Sequence, residues 1–177
     1  MNRFISSLEL LQEYRKIKPF AIEFREGLNV LVGENGAGKS TIFHLMIEEA
    51  ANKSLVRIDF RPVEYRFFDT EKQNPRTRGE IKAEFDIVSR FCSHGETIFA
   101  IVDECKKFKD TLLLIDEPEA GVSIRNQRKL VDAFQEAIVN GCQVIVATHS
   151  FVIIQSVLTV FSLDSRTWMT SKEYLSL

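Results

Sequence analysis

The chain has 177 residues, 45% hydrophobic and 27% charged, with a formal net charge of −2. This length and composition fit one ordinary globular domain with its own core, and the charge supplies no long-range attraction for nucleic acid or an anionic membrane. Three scattered cysteines, Cys92, Cys105 and Cys142, form no C-x-x-C pair; this disfavours a disulfide framework or a zinc site and fits reduced thiols in the cytosol.

Phe4 to Leu10 alternates loosely and reads as a strand, although Leu8 to Gln12 would also start a helix. Glu13 to Lys16 is a polar connection, and Phe20 to Phe24 alternates as a strand does. Glu26-Gly27 turns the chain into Leu28 to Val32, a continuous apolar run expected of a strand covered on both faces.

Gly33-Glu34-Asn35-Gly36-Ala37-Gly38-Lys39-Ser40-Thr41 follows and satisfies G-x-x-x-x-G-K-[ST] at Gly33, Gly38, Lys39 and Ser40. Glycines there let backbone N–H groups turn onto phosphate oxygens, and the N-terminus of the next helix favours an anion. In this pattern Lys39 reaches the β- and γ-phosphates and Ser40 ligates Mg²⁺. A helix is expected from Ile42 to about Lys53.

Leu55 to Phe60 and Val63 to Phe68 read as extended segments. Asp69 to Gly79 is a polar loop with a turn signal at Asn74-Pro75. Glu80 to Arg90 is ambiguous, and Thr97 to Phe108 is helical by spacing. Thr111 to Ile115 is a buried strand that delivers Asp116 and Glu117 to its carboxyl end, where ligands of open α/β sheets bind. Adjacent carboxylates there suit different tasks: Asp116 to hold Mg²⁺ through water, Glu117 to polarise the attacking water as general base. Arg125 to Val139 carries a helical stripe closed by Gly141. Gln143 to Ala147 is a second buried strand ending at Thr148-His149-Ser150. A lone histidine is more often structural; its place at a neighbouring strand end favours contact with a γ-phosphate or its water. A short helix (Phe151 to Ser156), a strand (Leu158 to Leu163) and an edge element (Thr167 to Thr170) complete the chain. Alternating strands and helices in the second half imply a parallel sheet with crossover helices. No apolar stretch reaches the roughly 20 residues that span a bilayer, and no signal peptide is expected.

In this order the motifs resemble the ATP-binding-cassette (ABC) class of P-loop ATPases: phosphate loop, signature-like Cys92-Ser93-His94-Gly95-Glu96, acidic strand end, then His149. The opening resembles the RecF, SMC and DNA-repair branch, and the segments Leu113 to Ser123 and Ala147 to Ser150 resemble small AAA-family ATPases. The resemblance implies an α/β P-loop NTPase: a mixed sheet whose parallel core strands are flanked by helices, plus an N-terminal antiparallel β portion. It implies one domain, 1–177, that binds and hydrolyses ATP with Mg²⁺ in the cytoplasm. It also implies an ATP-dependent homodimer that drives a protein partner or acts on DNA.

By position, Ser93 and Gly95 match the signature that caps a γ-phosphate held by a second subunit. Glu117 matches the catalytic glutamate, His149 the switch histidine, and Arg15 an arginine approaching the phosphates. Glu119 to Ser123 matches the segment that crosses the dimer interface. His94, Glu96 and Ser123 depart from the usual residues. Gln73 is a candidate for the glutamine that joins Mg²⁺ to the nearby subdomain, and Lys72, Arg76 and Arg78 are candidates for contact with DNA. The alternatives are the ATP-binding subunit of a membrane transporter and a nucleotide-dependent binding module. Only roughly 50 residues separate Ser40 from Ser93, short for a transporter's docking subdomain, and Glu117 disfavours a module that does not hydrolyse.

Overall fold

A computed structural model describes residues 4–61, 63–69, 102–103 and 105–177. Two sheets stack in it. The larger contains β3 (Leu28–Val32), β5 (Tyr65–Asp69), β6 (Leu112–Asp116), β7 (Gln143–Ala147), β8 (Thr159–Ser162) and β9 (Thr167–Thr170). Its order is β5-β6-β7-β3-β8-β9, with every neighbouring pair parallel except β8 with β9. The smaller is antiparallel, ordered β2-β1-β4, from β1 (Ile5–Leu10), β2 (Phe20–Glu23) and β4 (Val56–Phe60). The expected α/β class, mixed sheet and N-terminal antiparallel portion are all present.

The central strands are apolar throughout because both of their faces are covered. On one face Val30, Val32, Leu113, Ile115, Val144 and Val146 meet Leu130, Phe134 and Ile138 of α2 (Ile124–Val139). On the other, Leu31, Leu112, Leu114 and Ile145 meet α1 (Lys39–Ile47) and the small sheet. Gln143 ties the two sheets together. Its Oε1 accepts from the N–H groups of Phe4 and Ile5, both at 2.8 Å, and its Nε2 donates to the carbonyls of Ile5 and Arg25, both at 2.9 Å.

Three departures from the sequence reading have local causes. Helix α1 stops at Ile47, well short of Lys53. Asn52 and Ser54 hold a turn there: Asn52 N–H donates to the Glu49 carbonyl at 2.8 Å and Ser54 Oγ to Asn52 Oδ1 at 2.8 Å, local bonds that compete with helix. Asp69 belongs to β5 rather than to a loop. A last helix, α4 (Ser171–Tyr174), follows β9 and starts at a capping box between Thr170 and Glu173. The strand alternative at Leu8 to Leu10 holds, without the helix start. Residues 70–101, with the expected turn at Asn74-Pro75, Lys72, Gln73, Arg76 and Arg78, the ambiguous segment Glu80 to Arg90, the signature and the first residues of the helix expected from Thr97, lie outside the described residues.

Candidate phosphate-binding site

Strand β3 ends at Val32, and the glycine-rich loop begins on the carboxyl side of the sheet. The loop is packed from outside. A Cβ on Gly38 (φ +101) would lie 2.1 Å from Ile17 Cδ1, and one on Gly33 (φ +153) 2.9 Å from Ala37 Cβ and 3.1 Å from Asp164 Oδ2. Both positions therefore require glycine. Gly36 also has positive φ but open space around it, and Asn35 and Gly36 are exposed. Asp164 further accepts the Glu34 N–H at 3.0 Å. The Tyr174 phenol hydrogen-bonds at the Gly33 backbone, and its pKa is raised by burial and by the charges of Asp164 and Glu34. Two residues of the C-terminal segment thus hold the entry to the loop.

Ile17 closes a tight turn with Tyr14, whose N–H and carbonyl pair with those of Ile17 at 3.0 and 2.8 Å. Arg15 and Lys16 at its tip both adopt positive φ (49° and 68°). Arg15 is exposed, its guanidinium 5.2 Å from the centre of the Tyr14 ring. Contact between Ile17 and Gly38 sets this basic tip beside the phosphate loop.

Lys39 opens α1 but turns inward and is buried. Its ammonium donates to the carbonyls of Gly33 at 3.1 Å and Glu34 at 3.4 Å, and lies 2.6 Å from His149 Nε2. Since an ammonium only donates, His149 Nε2 accepts. On its other side His149 Nε2 is 3.6 Å from Glu117 Oε1. Glu117 holds a left-handed backbone (φ 46°), with its N–H bonded to the Ala147 carbonyl at 2.9 Å. A non-glycine residue there costs on the order of 1–3 kcal/mol, a strain found mostly at functional positions.

Asp116 is buried at the end of β6, between Asp69 of β5 and Ala147 of β7 in register. Burial pushes its carboxyl up to about 6; a hydrogen bond with Ser40 and the charge of Lys39 oppose the rise, while Asp69 and Glu117 add to it. A short run of bonds braces the next loop: the His149 N–H donates to Glu119 Oε1 at 2.6 Å, Ser150 Oγ to Gln127 Oε1 at 2.7 Å, and Gln127 Nε2 to the Val122 carbonyl at 2.9 Å. Ser123, read as a departure from an interface residue, is the N-cap of α2.

The structure thus brings Lys39, Ser40, Asp116, Glu117 and His149 together around one end of the sheet, with Gly33 to Thr41 wrapped beside them. Arg15 stands at the edge. Ser93 and Gly95 lie outside the described residues. Asp69, Asp164 and Tyr174 join the site without having been anticipated. A strand-end carboxylate beside Asp116 was visible in principle for Asp69, whereas nothing local marks Asp164 or Tyr174. Among the described residues no three His, Cys, Asp or Glu side chains form a metal cage. The hard oxygens of Ser40 and Asp116 fit Mg²⁺, which takes one or two protein oxygens and completes its shell with phosphate and water.

Two family descriptions match the sequence. "AAA domain, putative AbiEii toxin, Type IV TA system" matches residues 97–155, and "AAA domain" matches residues 10–47. No curated protein sequence matches. Similar solved structures include CbiO1 from Clostridium perfringens, part of the ABC transporter complex CbiONQ. It is 16% identical, with a TM-score of 0.61 over 98% of this chain and 92% of that one. A nucleotide-free ATP-binding cassette from an ABC transporter is 10% identical, with a TM-score of 0.65 over 97% and 94%. A bacterial Atm1-family ABC exporter with ATP bound is 17% identical, with a TM-score of 0.63 over 99% of this chain and 41% of that one. Among the described residues no helix is long and apolar enough to cross a membrane.

Proposed function

We propose, from the premise that this chain is a P-loop ATPase of the ABC/AAA type in fold and in its two matched segments, that it is one domain hydrolysing ATP with Mg²⁺ and dimerising around the nucleotide. The observation that carries this reading is the convergence of Lys39, Glu117 and His149 on one point beside the phosphate loop. An arriving triphosphate competes with His149 and the Gly33 and Glu34 carbonyls for the Lys39 ammonium. Once Lys39 leaves, His149 Nε2 is freed to meet the terminal phosphoryl group or its water, and Glu117 takes the water's proton. Mg²⁺ held by Ser40 and Asp116 would neutralise charge that develops on the transferred group. Ser93 and Gly95 of one subunit would cap the phosphate held by the other, so that hydrolysis opens the pair.

The motifs favour a partner in DNA repair, chromosome maintenance or defence, and the matched toxin–antitoxin description supports defence among these. The named transporter relatives favour a second reading, an ATP-binding subunit of a membrane transporter; at their low identity they carry the fold alone. Co-purification from the native host separates the two readings, yielding either DNA or a soluble protein, or a membrane protein.

The enzymatic reading is tested by turnover. Lys39→Ala abolishes nucleotide binding or hydrolysis, and Glu117→Gln binds ATP while hydrolysing it about 10²–10⁴-fold more slowly. Normal turnover in either variant refutes the assigned role.

A further inference from the structure

A groove of about 720 Å³ runs between α2 and α3 (Phe151–Gln155), lined by Ile124, Arg128, Val131, Asp132, Phe151 and Val152 among others. Ile124 and Phe151 are large apolar side chains left 66% and 57% exposed. Exposed apolar surface of this kind marks a contact when it is contiguous rather than scattered, and here both residues line the same groove.

The groove is also tied to the phosphate site. Ile124 follows Ser123, the end of the segment whose Glu119 accepts the His149 N–H. Phe151 follows Ser150, whose hydroxyl bonds Gln127 on the groove wall. The two segments reaching the phosphate end therefore enter the lining of the groove one residue later.

The groove's charges suggest what docks there. Arg128 and Asp132 are one helical turn apart, both exposed, and neither has an ion-pair partner among the described residues. Arginine N-terminal to aspartate at i,i+4 is the poorer order for pairing within a helix. A two-fold axis brings residue i of one chain to residue j of the other and the reverse. One surface with both signs, each unpaired, satisfies that rule for its own copy.

We propose that the α2–α3 groove is a self-complementary docking surface for a second copy of this chain, with Arg128 of each subunit on the partner's Asp132 and the apolar side chains buried between them. This rests on the ATP-dependent dimer proposed above and adds to it a contact outside the phosphate site.

The test uses the full chain carrying Glu117→Gln, with ATP and Mg²⁺ or with ADP, in sedimentation velocity. Arg128→Glu and Asp132→Arg, made separately, each weaken dimerisation about tenfold or more by setting like charges face to face. The double variant restores it, which a folding defect would not, and Phe151→Ser weakens it without touching charge. Dimerisation with ATP that is unaffected in all variants overturns the groove and leaves the shared phosphate site standing. Dimerisation that ignores nucleotide but follows the charge swap supports the groove and overturns the ATP-dependent dimer. Monomer under every condition overturns both.

Discussion

In the free protein, folding moves Asp116 out of water, beside Asp69 and Glu117 and against only a partial return from Ser40 and Lys39. Its carboxyl is raised from 3.8 to about 6, so between those values the folded chain binds a proton that the unfolded chain releases. The sign follows: this group favours folding most below about pH 4, and the benefit is lost as pH rises through about 6. Asp116→Asn removes the buried charge and keeps an acceptor for Ser40. Without Mg²⁺ the variant is expected to resist urea better than the parent at pH 8, by on the order of 1–3 kcal/mol. The gain should shrink to nothing near pH 4, and hydrolysis should be lost. A variant no more stable at pH 8 would contradict the burial account. The cost is carried by a residue poised for a cation. Asp116 and Glu117 were legible from the sequence because four apolar residues deliver them to a strand end. So was the division of tasks between them; the burial of one and the left-handed backbone of the other were not, because they come from β5, β7 and the loop after β6.

At the scale of elements, patterns confined to one segment were readable and pairings between distant segments were not. The apolar runs of β3, β6 and β7, the stripe of α2 and the β9 edge all stand where their periodicity puts them. The end of α1 depended on side-chain bonds of Asn52 and Ser54, and α4 on a four-residue capping box, signals too short for periodicity to register. Gln143 is the sharpest case. It opens the strand read as buried, but no local signal gives the partners of its buried amide, which joins β1 to the loop before β3. Gln143→Leu keeps the size and strands the backbone groups of Phe4, Ile5 and Arg25. A loss of about 3 kcal/mol or more is expected, read as a lower urea midpoint. A loss below about 1 kcal/mol would mean that the small sheet is held by apolar packing alone.

For the whole molecule, the large sheet separates two cores and collects its chemistry at one end, where β3, β6 and β7 lie side by side. The small sheet brings the Tyr14–Ile17 turn to the outside of the phosphate loop, and the C-terminal segment brings Asp164 and Tyr174 to its entry. Both ends of the chain thus serve the loop, which no local motif foretells. We propose that the cap over a phosphate held at Lys39 comes from Ser93 and Gly95 of a second subunit. The most direct measurement is a structure of Glu117→Gln with ATP and Mg²⁺. The account predicts two copies facing each other, each triphosphate held by Lys39 and Ser40 of one and hydrogen-bonded by Ser93 of the other. Triphosphate bound at the loop with Ser93 of every neighbouring copy remote from it would contradict the shared site.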